Sequence, residues 1–94
     1  MNKFILAQLA SIKSELFKKY PLKTLAVFGS CARGEELEGS DIDLVVEFTH
    51  SVGMEFVDLS LELEKKLNRK VDLVSRNGLK ERFFLKIQDE LIYV

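Results

Sequence analysis

Along this chain the spacing of apolar residues switches repeatedly between the period of a helix and that of a strand, which confines it to layered α/β arrangements. Ile5, Leu9, Ile12 and Leu16 recur at helical steps, with Lys13, Glu15, Lys18 and Lys19 among them, and Pro21 ends the run. Thr24–Phe28 is a short apolar strand closed by Gly29, and a short helix is expected from Ser30 to about Leu37, followed by a turn over Glu38, Gly39 and Ser40. Asp41–Phe48 alternates cleanly: Ile42, Leu44, Val46 and Phe48 share one face, Asp41, Asp43, Val45 and Glu47 the other. A helix from about Gly53 to Leu67 turns Phe56, Leu59, Leu63 and Leu67 inward. Lys70–Ser75 is a third strand, with Val71 and Leu73 on one side and Asp72 on the other. Asn77-Gly78 makes a turn, Leu79 to about Glu90 a last helix, and Leu91–Val94 a short closing strand. The order α-β-α-β-α-β-α predicts an α/β (α+β) fold, a small mixed β-sheet with helices packed on one face. Strand pairing stays open at this level.

The 94 residues suffice for a single domain spanning 1–94. A formal net charge of −1 gives no bulk electrostatic reason to bind nucleic acid or an anionic membrane. The single cysteine, Cys31, excludes an internal disulfide framework and a cysteine-built zinc site. The opening MNKFILAQLASIKSELFKKY lacks a signal-peptide cleavage pattern, because Gln8 breaks its apolar run and an amphipathic helix follows. No stretch is long enough to span a bilayer, so a cytoplasmic location is expected.

Asp41 and Asp43 occupy one strand face, their Cα atoms ~6.5–7 Å apart at the rise of a β-strand. Two carboxylates on a partly buried face repel and resist desolvation, so either a cation or a raised pKa is expected there. Hard divalent cations prefer such oxygen donors, and Mg²⁺ also takes phosphate oxygens, which points to a nucleotide substrate. If the third strand neighbours the second, Asp72 comes alongside the pair, and three carboxylates on adjacent strands suit two-metal phosphoryl or nucleotidyl transfer. A lone D-x-D is by itself more often a solvated strand edge.

Gly29 ends a strand just before a helix start, where glycine permits positive φ or close backbone approach. Ser30 is placed to cap the helix, and its hydroxyl and the free N–H groups beside it can hold a phosphate. An ordinary strand-to-helix turn would use the same pair. Arg33 is expected to pair with a phosphate or with Glu35, Glu36 or a nearby aspartate.

Gly29-Ser30, ten residues, then Asp41-Ile42-Asp43 resembles the nucleotidyltransferase superfamily that includes DNA polymerase beta. The wording GSCARGE…GSDIDLVV, with KVDLV one helix later, is similar to the minimal nucleotidyltransferase (MNT) family, small prokaryotic proteins paired as antitoxins with HEPN-domain toxins. The resemblance covers about Leu22 to Ser75. It implies a polymerase beta-like fold in which Gly29 and Ser30 bind the nucleotide's phosphates, Asp41 and Asp43 hold metal, and Asp72 is the third catalytic and metal-binding carboxylate, assisting activation of the acceptor hydroxyl. It implies two Mg²⁺ ions, ATP as substrate, and transfer of AMP to a tyrosine of a cognate HEPN toxin. Larger relatives carry an additional helical domain, so a partner or a second copy, in a hetero- or homo-oligomer, is expected to supply the missing surface. Two other readings stay open: a binding module that neutralises its toxin by covering it, and transfer to a small molecule such as an aminoglycoside, against which the absent acceptor domain argues.

Charge is uneven. Six acidic residues and one basic residue lie between Arg33 and Glu47, whereas Lys65–Lys86 holds eight basic and two acidic ones. These are either solvated faces or surfaces for triphosphate and partner. The apolar run Arg82–Ile87, continued in Leu91–Val94, either completes the core or docks a partner. His50, alone in a loop, is assigned no role.

Overall fold

The computed structural model describes residues 3–35, 39 and 41–94. Helix α1 (Lys3–Lys19) leads into strand β1 (Leu22–Phe28), the short helix α2 (Gly29–Arg33), strand β2 (Ile42–Phe48), helix α3 (Glu55–Leu67) and strand β3 (Val71–Ser75). A 3₁₀ turn over Arg76–Gly78, helix α4 (Glu81–Ile87), a second 3₁₀ turn over Gln88–Glu90 and the two-residue strand β4 (Ile92–Tyr93) complete the described chain. The four strands form one mixed sheet in the order β3-β2-β1-β4, with β2 and β3 parallel and the other pairs antiparallel.

The alternation in β2 sorts its side chains as the sequence requires. Ile42, Leu44, Val46 and Phe48 join Ile5, Leu9 and Leu16 of α1 and Leu59, Leu63 and Leu67 of α3 in the main core. Leu22, Leu25 and Val27 of β1 enter the same core although Leu22 and Leu25 are three residues apart. A register shift between Leu22 and Thr24 inserts the extra residue that puts both on one side, so β1 begins two residues earlier than its apolar run suggests. The left-handed Asn68 (φ 54°) ends α3 and turns the chain into β3.

The two long helices lie on one face, as expected, but α4 crosses to the other. There Ile87, with Leu79 and Leu91, packs on Ala26, Phe28, Val45 and Val74. The last helix is also shorter than its apolar pattern: after Ile87 the chain tightens into a 3₁₀ turn and becomes extended, because Ile92 must return to pair with Val27. Val94 N–H donates to Leu25 O at 3.0 Å and fastens this end against β1. Part of the apolar C-terminal run therefore completes a second core, while Phe83, Leu85 and Tyr93 stay exposed. Helix α2 stops at Arg33, where Gly34 adopts φ 73°. The continuation expected through Glu36 and Leu37, and the turn residues Glu38 and Ser40, lie outside the described residues. Among the described residues no helix is long and apolar enough to cross a membrane.

Polar contacts tie the two long helices together, Lys66 Nζ to Glu15 Oε2 at 2.8 Å among them. Tyr20 Oη donates to Glu62 Oε1 at 2.8 Å, and Lys19 Nζ lies 2.9 Å from the same oxygen. Burial, then the hydrogen bond and charge of Glu62, push the Tyr20 hydroxyl up to about 12. The folded state thus holds this proton more tightly than the unfolded chain, whose tyrosine titrates near 10.0. Tyr20→Phe is expected to cost about 1 kcal/mol in urea unfolding at neutral pH. The difference from the wild type should persist up to pH 10 and shrink as the pH rises through 12.

Candidate active site

Strand pairing brings the predicted carboxylates to one place. Asp43 is the second residue of β2 and stands directly beside Asp72, the second residue of β3, in the parallel register. Adjacent strands run ~4.8 Å apart, so the two carboxylates leave the same face as close neighbours. Asp41 precedes β2 by one residue, and the chain is pinned there by the Ile42 N–H, which donates to Lys70 O at 2.9 Å. Asp41 and Asp72 are exposed, whereas Asp43 is half-buried. Burial, then the charges of Asp72 and Asp41, push the Asp43 carboxyl above its ordinary 3.8; the Arg33 guanidinium partly opposes this, and Glu90 adds to it.

The glycine turn lies against this group. Phe28, the last residue of β1, pairs with Asp43 across the sheet, so Gly29 begins α2 immediately beside the carboxylates. Gly29 has φ 72°, and a Cβ built on it would collide with Oδ2 of Asp43. The glycine therefore has two causes, a left-handed backbone and the approach of a carboxylate to its Cα. The same turn moves Ser30 from the expected cap position into the first turn of α2, which has no side-chain cap; Ser30 O instead accepts the N–H groups of Gly34 and Glu35.

Two residues joined the site without a local signal. Glu90, in the C-terminal 3₁₀ turn, accepts from Arg33 Nη1 at 2.6 Å, and Arg33 Nε also donates to Glu35 at 3.0 Å. Arg33 thus ties α2 to the end of the chain. Phe83 of α4 meets Phe28 in a perpendicular contact, ring centroids 6.5 Å apart. Arg33 and Glu90 are separated by 57 positions, so no sequence pattern relates them.

Among the described residues no three His, Cys, Asp or Glu side chains converge tightly enough to cage a metal unaided. The donor chemistry nevertheless fits Mg²⁺, which takes one or two protein carboxylates and fills its remaining positions with water and phosphate oxygens. Burial first and the neighbouring anions second raise the Asp43 carboxyl, and a cation bound there would relieve both.

The sequence pattern of the nucleotidyltransferase domain matches residues 8–94. The chain belongs to this nucleotidyltransferase family. It is 36% identical over 87 residues to the protein adenylyltransferase MntA of Thermococcus cleftensis, covering 92% of this chain and 88% of that protein. A solved structure of the minimal nucleotidyltransferase type superposes with a TM-score of 0.83 at 35% identity, over 96% of this chain and 92% of the other. A chain of the complex between the tri-AMPylated Shewanella oneidensis HEPN toxin and its MNT antitoxin has the same fold, with a TM-score of 0.73 at 20% identity over 95% of this chain and 70% of that one.

Two outcomes follow from the crowding at Asp43. Gly29→Ala should destabilise the fold by about 1–3 kcal/mol, while Gly78→Ala, whose added Cβ meets nothing within 4 Å, should change it by less than about 0.5 kcal/mol in thermal melts. Because the folded pKa of Asp43 is raised, its charged form opposes folding once the pH exceeds that value. Asp43→Asn, measured in EDTA, should therefore raise Tm at pH 7, and the gain should shrink as the pH falls through the raised value and be absent below 3.8.

Proposed function

We propose that this protein is a Mg²⁺-dependent adenylyltransferase that moves AMP from ATP onto a tyrosine hydroxyl of a cognate HEPN-domain toxin and so acts as its antitoxin. The observation that carries this reading is the placement of Asp43 beside Asp72 in register, with Asp41 two residues away and Gly29 against the carboxylate. The adenylyltransferase name of the Thermococcus cleftensis relative and the toxin complex in which the fold recurs support the nucleotide and the partner.

Gly29 and Ser30 hold the triphosphate, since residue 29 lacks a side chain and leaves the backbone open to phosphate oxygens. Asp41 and Asp43 are the residues that would hold Mg²⁺, with Asp72 completing the set. Ions held there would supply charge neutralisation for the triphosphate and a lowered pKa for the acceptor hydroxyl. Asp72 orients that hydroxyl and takes up its proton. The acceptor oxygen forms its bond to the α-phosphorus as the bond to the bridging oxygen breaks, and pyrophosphate leaves with the electron pair. Arg33, held by Glu35 and Glu90, fixes α2 and with it the phosphate turn.

The test incubates the protein with α-labelled ATP, Mg²⁺ and the product of an adjacent, co-expressed gene. Label should appear on a tyrosine of that partner, and Asp41→Asn or Asp43→Asn should lower the rate by about 10³-fold or more without loss of fold. A stable complex that takes no label from any nucleotide, and survives Asp43→Asn, would instead make the protein a steric inhibitor.

A further inference from the structure

We infer that Phe83 is the wall on which the nucleotide base stacks, giving the site a preference for purines; this rests on the nucleotidyl-transfer reading above. Phe83 lies in the first turn of α4 and keeps 42% of its surface in solvent, unusual for a phenylalanine in contact with a core ring. Its perpendicular contact with Phe28, at 85°, engages at most one face of the Phe83 ring. Phe28 is the residue joined to Gly29 and paired with Asp43, and it belongs to the core on the face that carries Asp43 and Asp72. Phe83 therefore stands on the same side of the sheet as the carboxylates, one ring away from the phosphate turn.

A nucleoside triphosphate has two chemically distinct halves. The phosphates belong at the glycine turn and the carboxylates, where Asp41, Asp43, Asp72, Arg33 and Glu90 make the surroundings charged. The base needs a flat apolar partner, which Phe83 presents beyond Phe28. Tyr93, another exposed aromatic of the C-terminal segment, pairs with Ala26 and so lies further back along β1, away from Gly29. Stacking grows with overlapping ring area and tolerates base identity, so an open phenylalanine favours two-ring bases over one-ring bases without choosing between adenine and guanine.

Calorimetric titration of ATP, CTP and inorganic triphosphate in Mg²⁺ buffer tests the assignment on the wild type, Phe83→Leu and Phe83→Tyr. Phe83→Leu keeps an apolar cover on Phe28 but removes the π-face. It should weaken ATP binding by about tenfold or more, leave inorganic triphosphate unchanged and bring the ATP-to-CTP ratio towards one, while Phe83→Tyr retains wild-type behaviour. On the unmutated protein, the adenine H2 and H8 resonances should move upfield on binding, a ring-current effect independent of any variant's folding. The inference is overturned if those resonances do not move, if Phe83→Leu binds ATP as the wild type does, or if it loses ATP and triphosphate equally. Loss of partner affinity alone would make Phe83 a docking residue and overturn it too. A wild type that binds neither ATP nor triphosphate would sink the nucleotidyl-transfer reading itself, whereas AMP transfer undiminished in Phe83→Leu would sink only this inference.

Discussion

Five apolar side chains on one face of β2 and β3 decide the register on which the remaining structure depends. Ile42, Leu44, Val46, Val71 and Leu73 are buried towards α1 and α3, and the two-residue period of a strand then forces Asp43 and Asp72 onto the opposite face as neighbours. The juxtaposition is electrostatically unfavourable: two unit charges ~5 Å apart repel by about 3 kcal/mol at an effective dielectric of 20, and solvent at the exposed Asp72 lowers that. Burial of each large apolar side chain contributes about 1.5–3 kcal/mol, so five of them outweigh the repulsion. A slip by one residue would place the carboxylates in the core and the leucines in water. The sheet therefore holds its anions together because its other face permits no alternative.

Much of this was legible in the sequence because its signals are local. The alternation in Asp41–Phe48 gave both faces of β2, and the helical spacing of Leu59, Leu63 and Leu67 gave the buried side of α3. The spacing from Gly29-Ser30 to Asp41 and Asp43 identified the turn and the strand that the sheet sets side by side. The rest depended on contacts that no window contains. The irregularity between Leu22 and Thr24 hid the start of β1, because a bulge breaks the period by which strands are recognised. The passage of α4 to the second face follows from the need of Ile92 to reach Val27, a long-range pairing invisible in the apolar run itself. Glu90 entered the site only through its bond to Arg33, and Phe83 only through its contact with Phe28.

The C-terminal segment thus acts as a bracket around the glycine turn. Val94 is fastened to Leu25, Glu90 holds Arg33, and Ile87 sits on the core that includes Phe28. A helix of five residues such as α2 cannot hold its position by its own hydrogen bonds, given the cost of nucleating so short a helix. Its orientation comes from Cys31, buried in the main core, and from the bond of Arg33 to Glu90, 57 positions away. The site is therefore completed by the C-terminal segment, although its two most recognisable motifs sit in the middle of the chain.

The separation of the two sheet faces also bears on how such a domain can diverge. Side chains that secure the fold between α1, α3 and the sheet alternate with the clustered carboxylates along the same strands but point in the opposite direction. Sequence drift in the packing layer is then nearly neutral for reactivity as long as total volume is kept. Lineages can exchange most of their interior while the carboxylate-bearing face stays recognisable, and that face can change while the interior stands still.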